Sequence, residues 1–264
     1  MPQLNVVKAT LHSQFSWQTF THYRFAATDT YAPLLVSEFQ QASSVSPIAF
    51  VKDENAYSPV LMMGIQEGSN LLVSVNGKWL GSYVPAYYRS HPFAIAKDQN
   101  KKLLLSFHSD SEFVIDHYAE NSGATPFFVD GELSDELKAV KEFLHAIEIS
   151  RLKGIEFCAK CEELGLFSPW DLQVNTGKER INLKGLHCID EAKLKALPAE
   201  QIKSLLESGT LSTIYNHLGS LHLTKHLVIL KQKHEISAAY SESTPPSQEL
   251  LTSTKDSELI DLDW

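Results

Sequence analysis

The sequence is poor in the features that most directly announce a compartment or a chemistry. Only 3 of its 264 residues are cysteine, an odd number and too few for a disulfide framework, so the thiols are expected to be reduced. Long apolar runs are missing: no stretch approaches the roughly 18 apolar residues that a membrane span needs. The first residues, MPQLNVVKATLHSQF, lack a basic segment followed by an apolar run, so no export signal is expected and the expected location is cytoplasmic. Positive charge is scarce. Lys and Arg number 23 against 32 Asp and Glu, a formal net charge of -9. That balance argues against a general electrostatic hold on nucleic acid or anionic lipid, because both need clustered cations. Nucleic acid and membrane insertion are therefore not expected. Two common signatures are also absent. Gly64, Gly68 and Gly77 do not fall into a dinucleotide- or phosphate-binding glycine spacing, and no G-x-S-x-G occurs.

What is present is enough apolar residue, 43% of the chain, to bury a substantial core in one large domain or a domain with a subdomain. The densest specification lies between Asn70 and Phe93, NLLVSVNGKWLGSYVPAYYRSHPF. It joins an apolar run (Leu71 to Val75), the turn dipeptide Asn76-Gly77, the burial-prone Trp79, Pro85, and a cluster of Tyr87, Tyr88, Arg89, His91 and Phe93.

In chain order, residues 1–33 are aromatic-rich without helical periodicity and read as extended structure. A short helix is expected from Leu34 to Ala42. The runs Ile48–Val51, Val60–Ile65 and Leu71–Val75, separated by turn chemistry such as Asp53–Asn55, predict sequential antiparallel strands. Leu103–Phe107, Phe113–Ile115 and Pro126–Val129 add further short strands. The period then changes. Ser134 is a good N-cap, Asp135 and Glu136 suit a first turn, and Leu137, Val140, Phe143, Leu144 and Ile147 recur at helical spacing towards Leu164 and the stop Gly165. A break near Gly154 is allowed for. Asp171–Val174 and Ile181–Ile189, joined through Asn175–Lys178, read as a hairpin; Asp190 caps a short helix; Pro198 opens another that ends at Gly209; and Thr210 to about Lys233 reads as a final helix. The expected architecture is α+β: a mainly antiparallel sheet in residues 1–133, a helical part with a small hairpin in 134–234 packed on it as one continuous domain, and a disordered acidic tail over 235–264.

The ordered set LLVSEF (34–39), PIAFVK (47–52), NLLVSVNGKW (70–79), YVPAYYRSHPF (83–93), FFVDGELS (127–134), GLHCIDEAKLKAL (185–197) and IYNHLGSL (214–221) resembles the SapC family of bacterial proteins over roughly residues 5–230. The resemblance implies a bacterial protein, and through the family name an association with a surface layer. It brings no catalytic residues to place on this chain.

The best candidate ligand-binding residues are Tyr87, Tyr88, Arg89 and His91, with Trp79 and His217 beside them. Arginine offers a planar fork to a carboxylate or phosphate, and tyrosine adds amphipathic contact area at little entropic cost. Set against that is the plainer arrangement in which Arg89 pairs with Glu38 or Asp116 and the aromatic rings fill the core. Cys158 and Cys161, with His187 and Cys188 downstream, carry zinc-type donors, yet adjacent His187 and Cys188 cannot easily both ligate and no second close pair exists. Structural cysteines are the favoured reading, so no metal and no cofactor is expected. His222 and His226 sit four apart without the glutamate of a zinc hydrolase, and His217 suits a hydrogen-bonded bridge between helix and sheet. The residues favour a non-catalytic accessory or binding protein that presents an aromatic and arginine surface to a peptide, protein or small acidic ligand. An enzyme assembled from Arg89, His91, His217 and Glu38 is one alternative, and a surface-layer-associated structural protein is another. Neither ligand identity nor oligomeric state is specified.

Overall fold

A computed structural model describes residues 4–53, 56–119, 123–175 and 180–243, with side chains described through Ile236. The strands are β1 (Leu4–Val6), β2 (Ser16–Trp17), β3 (Tyr31–Pro33), β4 (Ile48–Asp53), β5 (Ala56–Met62), β6 (Phe93–Lys97), β7 (Leu103–His108), β8 (Val114–Ile115), β9 (Thr125–Pro126), β10 (Phe128–Val129), β11 (Glu132–Leu133), β12 (Phe167–Pro169), β13 (Leu172–Asn175), β14 (Arg180–Leu183) and β15 (Leu186–Ile189). The α-helices are α1 (Ala9–His12), α2 (Phe39–Ala42), α3 (Ala86–Arg89), α4 (Asp135–Glu163), α5 (Glu191–Lys195), α6 (Ala199–Glu207), α7 (Thr210–Ser220) and α8 (Thr224–Ser243). The protein is α+β, with antiparallel sheets in the first half and helices mainly in the second.

Two sheets matter most. A five-stranded antiparallel sheet runs β12-β15-β4-β5-β3, and a three-stranded one runs β1-β7-β6. Each belongs to its own apolar core. The larger core packs β4 and β5 residues such as Ile48, Phe50, Leu61 and Met62 against Phe39, Phe157, Ile214 and Leu227. The smaller packs Trp17, Phe93, Phe107 and Phe127 against Leu137 and Leu144. The long helix α4 serves both, its N-terminal half in the smaller core and its C-terminal half in the larger.

The ends of α4 follow the chemistry of their residues. The Ser134 hydroxyl accepts from the Leu137 N–H at 3.3 Å, Asp135 and Glu136 lie in the first turn, and Gly165 (φ +66°) takes the chain out of the helix. No break occurs at Gly154. Asp190 caps α5 by accepting from the Ala192 and Lys193 N–H groups.

Three readings change. Leu71–Val75 is not a strand: only Val73 bridges to Trp79, because the Asn76-Gly77 turn closes the segment on itself through Ser74 and Lys78. Ile181–Ile189 is two strands. Gly185 (φ +80°) redirects the chain so that β14 completes the hairpin with β13 while β15 joins β4 and β12, a strand the sequence reading lacks. The helix read from Thr210 is interrupted by a 3₁₀ turn at Leu221–Leu223. Just before it, the Ser220 hydroxyl donates to the His217 carbonyl at 2.7 Å and accepts from Ile48 N–H at 2.9 Å, tying the end of α7 to β4. Helix α8 then continues to Ser243, past the expected start of the tail; residues 244–264 of that tail, and most of the expected turns at Asp53–Asn55 and Asn175–Lys178, lie outside the described residues. Among the described residues, no helix is long and apolar enough to cross a membrane.

Candidate functional site

A cleft of about 660 Å³ opens between β6, the end of β7, the middle of α4, α3 and the loop carrying Arg24 to Asp29. Its apolar base is Phe93, Ile95, Leu144 and Ile147. Its polar wall comes from Asp29, His91, His108 at the end of β7, and Asp110 to Glu112 after it.

His91 is fixed between α3 and β6. Its ring stacks on Phe25, with centroids 3.8 Å apart and planes 7° apart, and lies near-parallel to His108 at 5.7 Å. Its Nε2 is 2.9 Å from the Ser111 hydroxyl. Burial, reinforced by the charge of His108 and opposed by Asp110, holds the imidazole down to about 4, so it is neutral at pH 7. Tyr88, only 2% exposed, donates its hydroxyl to Asp29 Oδ2 at 2.8 Å. Burial raises the Asp29 carboxyl above the usual range, against the pull of that hydrogen bond.

The charged side of the cleft is partly spoken for. Arg151 holds Glu148 through Nε at 2.6 Å and Nη2 at 2.8 Å, and Lys97 at the end of β6 meets the same carboxylate at 2.8 Å. Those cations, Arg151 first, pull Glu148 down to about 2. Glu112 faces His22 at 3.6 Å. Arg24 is exposed and, among the described residues, has no carboxylate partner. Its position depends on Gly77, where a Cβ would stand 2.8 Å from Arg24 Cγ and 2.9 Å from His22 Cβ.

Tyr87, Tyr88 and His91 line this cleft; Arg89, Trp79, Glu38 and His217 do not. The Arg89 side chain is 45% exposed, 3.7 Å from Glu38 and over the ring of Phe143. Glu38 is a buried hub: its carboxylate accepts from Leu35 N–H at 2.9 Å, from Ala86 N–H at 2.7 Å and from the Tyr83 hydroxyl, which burial and this carboxylate push well above the usual phenol range. Trp79 is in the larger core, its indole N–H donating to the Tyr83 carbonyl. His217 is wholly buried, accepts from Ile189 N–H at 3.0 Å and so ties α7 to β15. Arg89, His91, His217 and Glu38 therefore do not meet at one point.

Cys158 and Cys161 are enclosed in the larger core, where burial pushes both thiols up to about 12. His187 packs its ring edge against Tyr57, two strands away in the same five-stranded sheet. Among the described residues, no group of three or more His, Cys, Asp or Glu converges on a metal position. His222 lies in the 3₁₀ turn and His226 is exposed on α8.

The sequence reading did not include Arg24, Phe25, Asp29, His108, Asp110, Ser111, Glu148 or Arg151. The one signal available was the polar run His108-Ser109-Asp110-Ser111-Glu112 directly after an apolar strand, since functional groups concentrate in loops held by a rigid sheet.

No curated protein and no solved structure matches this chain. The family model described as SapC matches residues 7–227 of 264, a span that contains every residue of the cleft. The chain therefore belongs to the SapC family.

Proposed function

We propose that this SapC-family chain is an accessory binding protein whose cleft receives a small acidic ligand with an apolar side group, such as the carboxylate end of a peptide. The observation that carries this reading is the pairing of an apolar base with Arg24, which has no carboxylate partner among the described residues, at the mouth of a cleft of about 660 Å³. That volume lies within the range of small-molecule sites, which are mostly apolar with a few placed polar groups. Arginine suits the task because its guanidinium presents two parallel N–H donors to a carboxylate. Two of the cleft's carboxylates are engaged, Asp29 by Tyr88 and Glu148 by Arg151 and Lys97, while Glu112 stands 3.6 Å from His22 and Asp110 lines the wall beside it. Tyr87, 50% exposed at the same mouth, supplies a rigid amphipathic face. Arg89 is less suited, since it is already held against Glu38 and Tyr83.

Ligand-observed NMR titration with N-acetyl-L-phenylalanine and its uncharged amide tests the reading. Saturable binding of the acid is expected, weakened at least about tenfold in the amide by loss of one charge-assisted pair. Arg24→Ala should erase the difference between the two. Equal binding of acid and amide by the unaltered chain, or no saturable binding of either, would sink the proposal.

A further inference from the structure

The same cleft holds a contact that simple binding does not need. We propose that Ser111 and His91 are a nucleophile and general base that hydrolyse an acyl ester bound there; the proposal rests on the reading of the cleft as a ligand site.

Five features of geometry support it. The Ser111 Oγ and His91 Nε2 are 2.9 Å apart, inside the reach that proton transfer requires. The hydroxyl also accepts from the Phe113 N–H at 3.3 Å, which occupies one lone pair and directs the hydroxyl proton towards Nε2. The serine is held in place by its own backbone, its N–H bonded to the His108 carbonyl and its carbonyl to the Val114 N–H, each at 3.1 Å. The imidazole plane is fixed by the Phe25 stack at 3.8 Å, so the base does not have to be oriented at the moment of reaction. The amide following the nucleophile, Glu112 N–H, takes no acceptor among the described residues and is the available donor for a developing oxyanion.

In the step proposed, the Ser111 Oγ bonds to the ester carbonyl carbon as its proton passes to His91 Nε2. The C–O bond to the alcohol breaks, and the leaving oxygen takes that proton. Water then attacks the acyl-serine, gives its proton to His91 and releases the acid, with the proton returned to Ser111. Because burial leaves His91 weakly basic, esters of good leaving groups such as phenols are favoured over those of simple alcohols.

The test treats the full chain with a fluorophosphonate probe, which exchanges its P–F bond for a Ser O–P bond and releases fluoride. Intact mass followed by peptide mapping locates the adduct, and hydrolysis of N-acetyl-L-phenylalanine p-nitrophenyl ester is followed in parallel. A single adduct on Ser111, slowed by N-acetyl-L-phenylalanine, is expected. Ser111→Ala and His91→Gln should each lower ester hydrolysis at least about 100-fold. Mapping on the unaltered chain keeps the test decisive if a variant fails to fold. Absence of an adduct on Ser111 in a chain that binds N-acetyl-L-phenylalanine overturns the nucleophile and leaves the binding site standing. An adduct that forms equally fast in His91→Gln overturns the base. An adduct on Ser111 without binding of the acid supports the pair and instead defeats the acidic-ligand reading.

Discussion

Buried histidines make the stability of this protein depend on mild acid, and His217 is the sharper case. Its ring is fully enclosed against Phe50, its Nε2 accepts from Ile189 N–H, and the Ile48 backbone offsets only part of the burial. Burial lowers it from 6.5 to about 4, so as pH falls the unfolded chain takes up the proton first and stability is lost from about pH 6.5 down to about pH 4. Between pH 7 and pH 5 that difference amounts to about 2 kcal/mol, and to about 3 by pH 4. His91 adds a smaller loss of the same sign, discounted because solvent reaches it. Glu148, lowered from 4.5 to about 2, loses its contribution from about pH 4.5 downward, below the pH 7 to pH 5 comparison, and the raised Asp29 acts in the opposite sense in any variant alike. His217→Gln keeps an acceptor for Ile189 N–H and cannot titrate. Urea unfolding of both proteins at pH 7 and pH 5 should therefore show the variant losing about 2 kcal/mol less, on the order of 1 M in midpoint. Equal losses in the two proteins would refute the assignment of this acid sensitivity to His217.

Glu38→Ala leaves Leu35 N–H, Ala86 N–H and the Tyr83 hydroxyl without their acceptor and Arg89 without its partner; a loss of about 3 kcal/mol is expected in urea unfolding, with Glu38→Gln losing less. Asn70→Ala removes a buried amide that donates to the Ala26 carbonyl and accepts from Leu72 N–H, each at 2.9 Å. The expected cost is about 2 kcal/mol, read as a lowered melting temperature. Gly77→Ala forces a side chain into positive φ and against Arg24 and His22; it should cost about 1 kcal/mol and, in the NMR titration, reduce the preference for N-acetyl-L-phenylalanine over its amide.

Local chemistry made much of the fold legible. Ser134, Gly165 and Asp190 mark helix ends whose capping partners are only two or three residues away, so spacing alone specifies them. The apolar runs at 48–51 and 60–62 form β4 and β5 because neither has a polar face and burial on both sides is their stable option. The errors occur where a distant partner decides. Leu71–Val73 is as apolar as a strand, but Asn70 bonds back to Ala26 and the segment fills the core as a loop. β15 resembles the second arm of a hairpin until Gly185 turns it onto β4. The site suffers more from this. Tyr87, Tyr88 and His91 were visible as a cluster, whereas Arg24 with Asp29, Ser111 and Arg151 reach the same cleft from three separate segments, and no local spacing reports that convergence.

The cleft exists because one helix serves two cores. Helix α4 buries Leu137 and Leu144 in the smaller core and Phe157, Cys158 and Cys161 in the larger. Between these sets, residues His145 to Lys153 include Glu148, Arg151 and Lys153, and charges of that kind are rarely buried without pairing. The middle of the helix meets Phe93 and Ile95 of β6 through Leu144 and Ile147 and does not extend that apolar contact past Glu148. It is held there instead by the Lys97–Glu148–Arg151 network, which fixes the wall without filling the space in front of it. The residues facing that space across the seam are those whose polar atoms are least easily buried, His91, His108 and Asp110. The composition of this one stretch thus links the packing of the whole chain to the only place among the described residues where Arg24, His91 and Ser111 can face one ligand.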